Sequence, residues 1–143
     1  MADAAATGAE TGEVEALRFR LGFFKLVVRD LPAMERFYCD TFGFAVSNRV
    51  VLPGLEESML NLPGQPFTLV LFHHTDGRAV TVGNGHGPVG LTTADLDAAA
   101  ARAIAHGARP LHGPHELPGA RLTFLLDPEG HEIELIQRTG TAG

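Results

Sequence analysis

An internal repeat constrains this chain more than any other feature. Asp30-Leu31 recurs as Asp95-Leu96, 65 positions later, and Gly43 recurs as Gly107, 64 positions later. The apolar segments Phe67–Leu71 and His131–Leu135 are again 64 apart. A constant offset between matching element types means that one supersecondary unit occurs twice. In the first copy, Phe23–Val28 is an aromatic and β-branched run between Gly22 and Asp30-Leu31-Pro32, the mark of a buried strand. Asp30 is placed to cap the next segment, and Pro32 suits a first helical turn. Met34, Phe37, Tyr38 and Thr41 then recur at helical spacing, so 31–41 is expected to be a short amphipathic helix ended by Gly43.

Three further strands are expected near 45–52, 57–62 and 67–74, separated by Pro53-Gly54, Pro63-Gly64 and a closing Asp76-Gly77. The second copy repeats this order. It has a strand at 89–93, an Asp95-capped helix over 96–105, and strands near 109–112, 120–126 and 131–137. The expected fold class is therefore α+β, built from two tandem βαβββ modules. The expected organisation is a disordered acidic tail over 1–16, modules at 17–75 and 87–138, a linker at 76–86 and a flexible end at 139–143.

Composition narrows the function. The chain has 143 residues, with 11 Lys and Arg against 17 Asp and Glu, for a net charge of −6. Phosphate binding needs clustered positive charge, and no basic run exists, so neither nucleic acid nor an anionic membrane is expected as a partner. No apolar stretch is long enough to span a bilayer. The single Cys39 excludes an intrachain disulfide and a cysteine-based zinc cluster. The opening MADAAATGAETGEVEA is acidic and lacks the basic and apolar regions of a signal peptide, so a soluble, cytoplasmic protein is expected.

Three segments carry a family resemblance: KLVVRDLPAMERFYCDTFGF, TTADLDAAAARAIAHGARP and LLDPEGHEIELIQ. They resemble the vicinal oxygen chelate superfamily, which includes glyoxalase I, methylmalonyl-CoA epimerase, extradiol dioxygenases, fosfomycin-resistance enzymes and bleomycin-binding proteins. The resemblance spans about residues 20–138. It implies that each module curls a sheet around a concave cleft, often completed in a dimer, so a homodimer is expected. It also implies four metal ligands, at positions that here hold Phe23, Pro88, Val70 and Glu134. Only Glu134 can ligate, and one carboxylate does not retain a divalent ion against water. No metal and no other cofactor are therefore expected at the inherited site.

Strand alternation assigns the cleft wall. If the more apolar faces pack on the helices, the cleft receives Phe23, Lys25, Val27, Thr68, Val70, Phe72, Pro88, Thr92, Glu134 and Ile136. Arg49 and Glu57 border its mouth. A carboxylate on an apolar wall loses hydration, which makes Glu134 a candidate proton acceptor; an ion pair with Lys25 would instead keep it ionised. Lys25 is the candidate for steadying an oxyanion, or it reaches out to solvent. Cys39 has no base nearby in sequence and is read as packing within the helix.

Two function classes fit. One is a protein that binds and sequesters a small, largely apolar organic ligand in a metal-free cleft. The other is a metal-independent isomerase, epimerase or cyclase-like lyase using Glu134 and Lys25. The alternative is a metal-dependent lyase, isomerase or dioxygenase that rebuilds a site from His74, His86 and Glu134. His112 and His115, which flank Gly113-Pro114, are read as loop residues.

Overall fold

The computed structural model describes residues 8–140. Its elements are α1 (Gly8–Leu17), β1 (Phe23–Val27), α2 (Leu31–Phe42), β2 (Ala45–Leu52), β3 (Leu55–Asn61) and β4 (Thr68–His74). They continue with β5 (Val89–Thr92), α3 (Leu96–Ala105), β6 (Arg109–Leu117), β7 (Ala120–Leu126) and β8 (Glu132–Arg138). The strands form two four-stranded sheets, ordered β1-β4-β3-β2 and β5-β8-β7-β6. In each, the first strand runs parallel to the last, and the other neighbours are antiparallel. This is the expected pair of βαβββ units in an α+β fold.

The caps repeat with the sequence. Asp30 accepts a hydrogen bond from Ala33 N–H at 3.0 Å, and Asp95 accepts one from Ala98 N–H at 3.1 Å. Each satisfies a free N–H of a first helical turn. Gly43 closes α2 at φ +82°, a conformation that disfavours a Cβ. Two differences from expectation have local causes. Residues 8–16, expected to be structureless, form most of α1, because Glu, Ala and Leu favour helix even without an apolar stripe. Residues 1–7 and 141–143 lie outside the described residues. Strand β6 runs on through Gly113-Pro114 to Leu117, because an edge strand accommodates these residues as a bulge.

One core joins both units. Leu26, Val28, Leu69 and Leu71 from the first sheet cluster with Leu125, Ile133 and Leu135 from the second, around Met34, Tyr38 and Leu96 of the helices. Leu26, Val28, Ile133 and Leu135 lie on the faces opposite the residues that alternation assigned to the cleft. Polar contacts fasten the seam. Glu129 accepts from the backbone N–H of Arg29 and Asp30 at 2.6 and 2.8 Å, and Arg102 donates to the Thr41 and Asp40 carbonyls at 2.9 and 2.6 Å. Gly107, the other end of the repeat, packs beside Pro128.

At the centre of the seam, fully buried Asp127 accepts from the Tyr38 hydroxyl at 2.7 Å and from His131 Nδ1–H at 2.8 Å. Its other oxygen takes the backbone N–H groups of Glu129 and His131, both at 2.9 Å. His131 Nε2 faces the Val27 carbonyl at 2.9 Å. A carboxylate and a carbonyl both accept, so both ring nitrogens must donate and His131 is an imidazolium. Burial alone would lower its pKa. The Asp127 carboxylate, the Val27 carbonyl and the nearby charge of Glu129 outweigh burial and hold it above the ordinary histidine value. Burial and then Asp127 push the Tyr38 hydroxyl far up, so it stays a neutral donor.

A folded-state pKa above the unfolded one gives stability that is complete below the unfolded histidine pKa and is lost as pH rises through the folded one. Thermal midpoints measured from pH 6 to 9 should therefore decline, and His131→Phe should flatten that slope. Asp127→Ala, which strands a buried cation and the Tyr38 hydroxyl, should cost about 3 kcal/mol or more in urea denaturation.

Candidate functional site

The faces turned away from the core carry the chemistry, and they form two walls. On the first sheet, Lys25 pairs with Val70, Val70 with Met59, and Phe72 with Glu57. Directly paired residues share a face. That wall therefore holds Phe23, Lys25, Val27, Thr68, Val70 and Phe72, as expected from alternation, together with Glu57 and Met59. On the second sheet, Glu134 pairs with Gly90 and with Phe124, Phe124 with His112, and Leu122 with Ile136 and His115. Thr92 pairs with Ile136 and is exposed on the edge strand.

Lys25 meets an anion, but it is Glu57. The ammonium lies 2.6 Å from Glu57 Oε2. The Glu57 side chain is only 8% exposed and that of Lys25 is 42% exposed. Lys25 Nζ also sits 5.3 Å from the Phe72 ring centroid and 5.8 Å from that of Phe23, within cation–π range. The sequence pattern placed Glu57 at the mouth. It instead sits on the wall opposite Phe72, where its charge is desolvated and needs the lysine. Glu134 is half-buried between Gly90 and Phe124. The expected Glu134–Lys25 dyad is thus not assembled within one chain: the two residues lie on different sheets, and Lys25 is already paired.

Arg49 also departs from expectation. It pairs with Ser58 on the helix side of its sheet, where both bind Glu35 of α2 at 2.6 and 2.5 Å. The bulge after Val46 shifts the alternation of β2 and carries Arg49 away from the outer wall. Burial would raise the Glu35 pKa, but Ser58 and Arg49 prevail and lower it. Cys39 lies on α2, where burial first, and then Glu35 and Asp40, push its thiol up and away from a reactive thiolate.

Cavities collect around the edge strands β1 and β5. Leu21, Phe23, Phe24 and Phe67 enclose with His86, Pro88 and Val89 an open cavity of about 390 Å³. A second, of about 140 Å³, runs between β1 and the connection from β4, lined by Lys25, Val27, Thr81, Val82, His86 and Glu132. The first falls in the size range of small-molecule pockets, and the second is smaller than that range. His86 entered the sequence reading only as a possible metal ligand, and Thr81 and Val82 not at all, because a Gly-rich connection carries no periodicity from which to orient a side chain.

A family model for the Glyoxalase/Bleomycin resistance protein/Dioxygenase superfamily matches residues 20–135. The chain belongs to that superfamily. A catechol-2,3-dioxygenase of Bacillus subtilis is 31% identical over 121 residues, covering 80% of this chain and 40% of that protein. A probable lactoylglutathione lyase of Synechocystis is 26% identical, covering 77% of this chain and 88% of its own length. The chain spans about 40% of the first of these relatives. Among solved structures, a glyoxalase family protein of Bacillus cereus superposes with a TM-score of 0.75 at 20% identity, covering 85% of this chain and 95% of that one. An antibiotic-binding protein of a Streptomyces species superposes at 0.67 with 26% identity, covering 85% and 97%.

The four inherited ligand positions do not fit a metal ion. Phe23 and Pro88 share the larger cavity, Val70 is 1% exposed beside Lys25, and none of the three has a donor atom for a cation. His74 stands edge-on to Phe72 at 4.7 Å, and His86 stands edge-on to Phe24 at 5.6 Å and lines other cavities. Neither touches Glu134, and among the described residues no three His, Cys, Asp or Glu side chains converge. Removing one partner of the Lys25–Glu57 pair should be asymmetric. Lys25→Met leaves a buried carboxylate and should cost about 2 kcal/mol; Glu57→Leu leaves an ammonium that reaches water and should cost less than half as much. Chemical denaturation of both variants checks this.

Proposed function

We propose that the protein binds a small, largely apolar organic molecule and sequesters it without metal chemistry at the inherited site. The observation that carries this reading is the substitution of three of the four family ligand positions by Phe23, Val70 and Pro88, two of which line an aromatic cavity. A cavity bordered by five phenylalanine and leucine residues favours a ligand by burying its apolar surface. The similarity to an antibiotic-binding protein supports the same class of activity. Acid–base conversion through Glu134 and Lys25 is the second reading. It needs the two walls to face each other, which a second copy would supply.

A homodimer fits that need. β1 and β5 are both free edges of their sheets, and the exposed Leu21, Phe23 and Phe67 lie beside them. Joining the β1 edge of one copy to the β5 edge of another would cover both and set a Lys25 wall against a Glu134 wall. A cytoplasmic location is part of the same proposal.

Native mass spectrometry of the full chain purified from its source organism should retain an organic adduct, and Phe23→Asp should abolish it. A ligand-free spectrum from that source would count against sequestration. Light scattering should give twice 15.2 kDa at micromolar concentration. Glu134→Gln should leave retention within about twofold, since a sequestering cavity needs no proton acceptor. Loss of turnover of the retained molecule in that variant would favour the enzymatic reading.

A further inference from the structure

Strand β6 holds two imidazoles that neither the core nor the inherited site explains. On a regular strand, residues three apart point to opposite faces. In β6, the register breaks between Pro110 and His112 and again between His112 and His115, so both histidines pair with one face of β7. Gly113 makes this possible: its φ is +104°, and a Cβ there would meet the Thr123 side chain at 3.0 Å and its backbone at 3.1 Å. Thr123 holds the bulge from the other strand by donating to the His112 carbonyl at 3.3 Å.

The result is a fixed pair. His112 Nδ1 lies 2.8 Å from His115 Nε2. His112 stacks on Phe124 with ring centroids 4.3 Å apart, and His115 flanks the same ring at 6.2 Å. Both histidines are exposed to solvent, so an ion can reach them without opening the fold.

The separation selects a geometry. Two imidazole nitrogens at about 2.0–2.1 Å from a metal stand about 2.9 Å apart when they subtend a right angle, and about 3.4 Å apart when tetrahedral. The observed 2.8 Å is the length of the hydrogen bond between the two rings, and replacing its proton with an ion opens the pair least in the right-angled arrangement. Right-angled nitrogen donors suit tetragonal Cu(II) and Ni(II), which also hold imidazole most tightly among the common divalent ions. Ligation through His112 Nδ1 and His115 Nε2 leaves each ring neutral with its proton on the outer nitrogen. The proton now shared between the rings moves to an outer nitrogen, and none is lost from a neutral pair.

We infer that His112 and His115 form a two-imidazole site for a divalent ion of the Cu(II)/Ni(II) class, separate from the family's ligand positions. No further His, Cys, Asp or Glu joins them among the described residues, so water or an external donor fills the remaining positions. The site shares its sheet face with Phe124 and Glu134. Glu134 is two strands away, about 10 Å, which is too far to ligate. The inference stands independently of the sequestration reading.

The test uses the full chain stripped with EDTA and titrated with Cu(II), followed by electron paramagnetic resonance and calorimetry. One ion per chain should bind, with superhyperfine splitting from two imidazole nitrogens. His112→Ala and His115→Ala should each weaken binding at least about tenfold, and Gly113→Ala, which disturbs the bulge but removes no ligand, should weaken it as well. Circular dichroism checks that each variant folds. His115→Ala keeps the test open if loss of the His112 stack disturbs β6. His74→Ala with His86→Ala should leave affinity and spectrum unchanged. Copper bound equally well by the His112→Ala/His115→Ala double variant, or lost with His74 and His86, would overturn the assignment.

Discussion

The charged hydrogen-bond cluster around Asp127 is the constraint on which the rest of the molecule depends. One carboxylate fixes the turn before β8 through two backbone N–H groups, fixes α2 through Tyr38, and orients His131 onto the end of β1. Every partner is a donor aimed at a buried anion, so the network is satisfied on the Asp127 side and breaks only at a cost of several kcal/mol. Glu129, two residues on, makes the same kind of contact with the start of α2. The relative placement of the two units rests on these polar joints as well as on the shared apolar core.

That placement explains why the outer walls do not share one chemistry. With the helix-packed faces committed to a common core, the faces left over are functionally unequal. The first sheet presents an internally neutralised Lys25–Glu57 pair between aromatic rings. The second presents Glu134, Phe124 and two histidines. A repeat duplicates backbone and caps, but side chains on its outward faces are free to diverge. Here they have diverged at the positions where the wider family binds metal.

Much of the fold was legible because it is written in short-range signals. The Asp30 and Asp95 caps, the helical stripe of Met34, Phe37, Tyr38 and Thr41, and the constant offset each follow from local physics. Strand alternation also separated the core residues Leu26, Val28, Ile133 and Leu135 from the wall residues Lys25, Val70 and Glu134. Legibility ended where period two ended. A bulge in β2 turned Arg49 towards α2, and bulges in β6 gathered His112 and His115 onto one face. Pairing across the sheet gave Lys25 to Glu57, a partner 32 positions away that alternation within one strand does not reveal. Sequence patterns report the face of a regular strand; they do not report register breaks or partners distant in the chain.

The common core also governs how the molecule comes apart. Two copies of a repeat could behave as independent folding units, each opening by itself. Here Tyr38 of the first copy donates to Asp127 of the second, and His131 of the second caps a carbonyl of the first. Neither half can expose its interior without stripping donors and apolar cover from the other. Amide protons of β4 and β8 should consequently exchange with solvent only through one global opening, with a common free energy in both halves. Two copies of one supersecondary unit thus form, in this chain, a single cooperative unit.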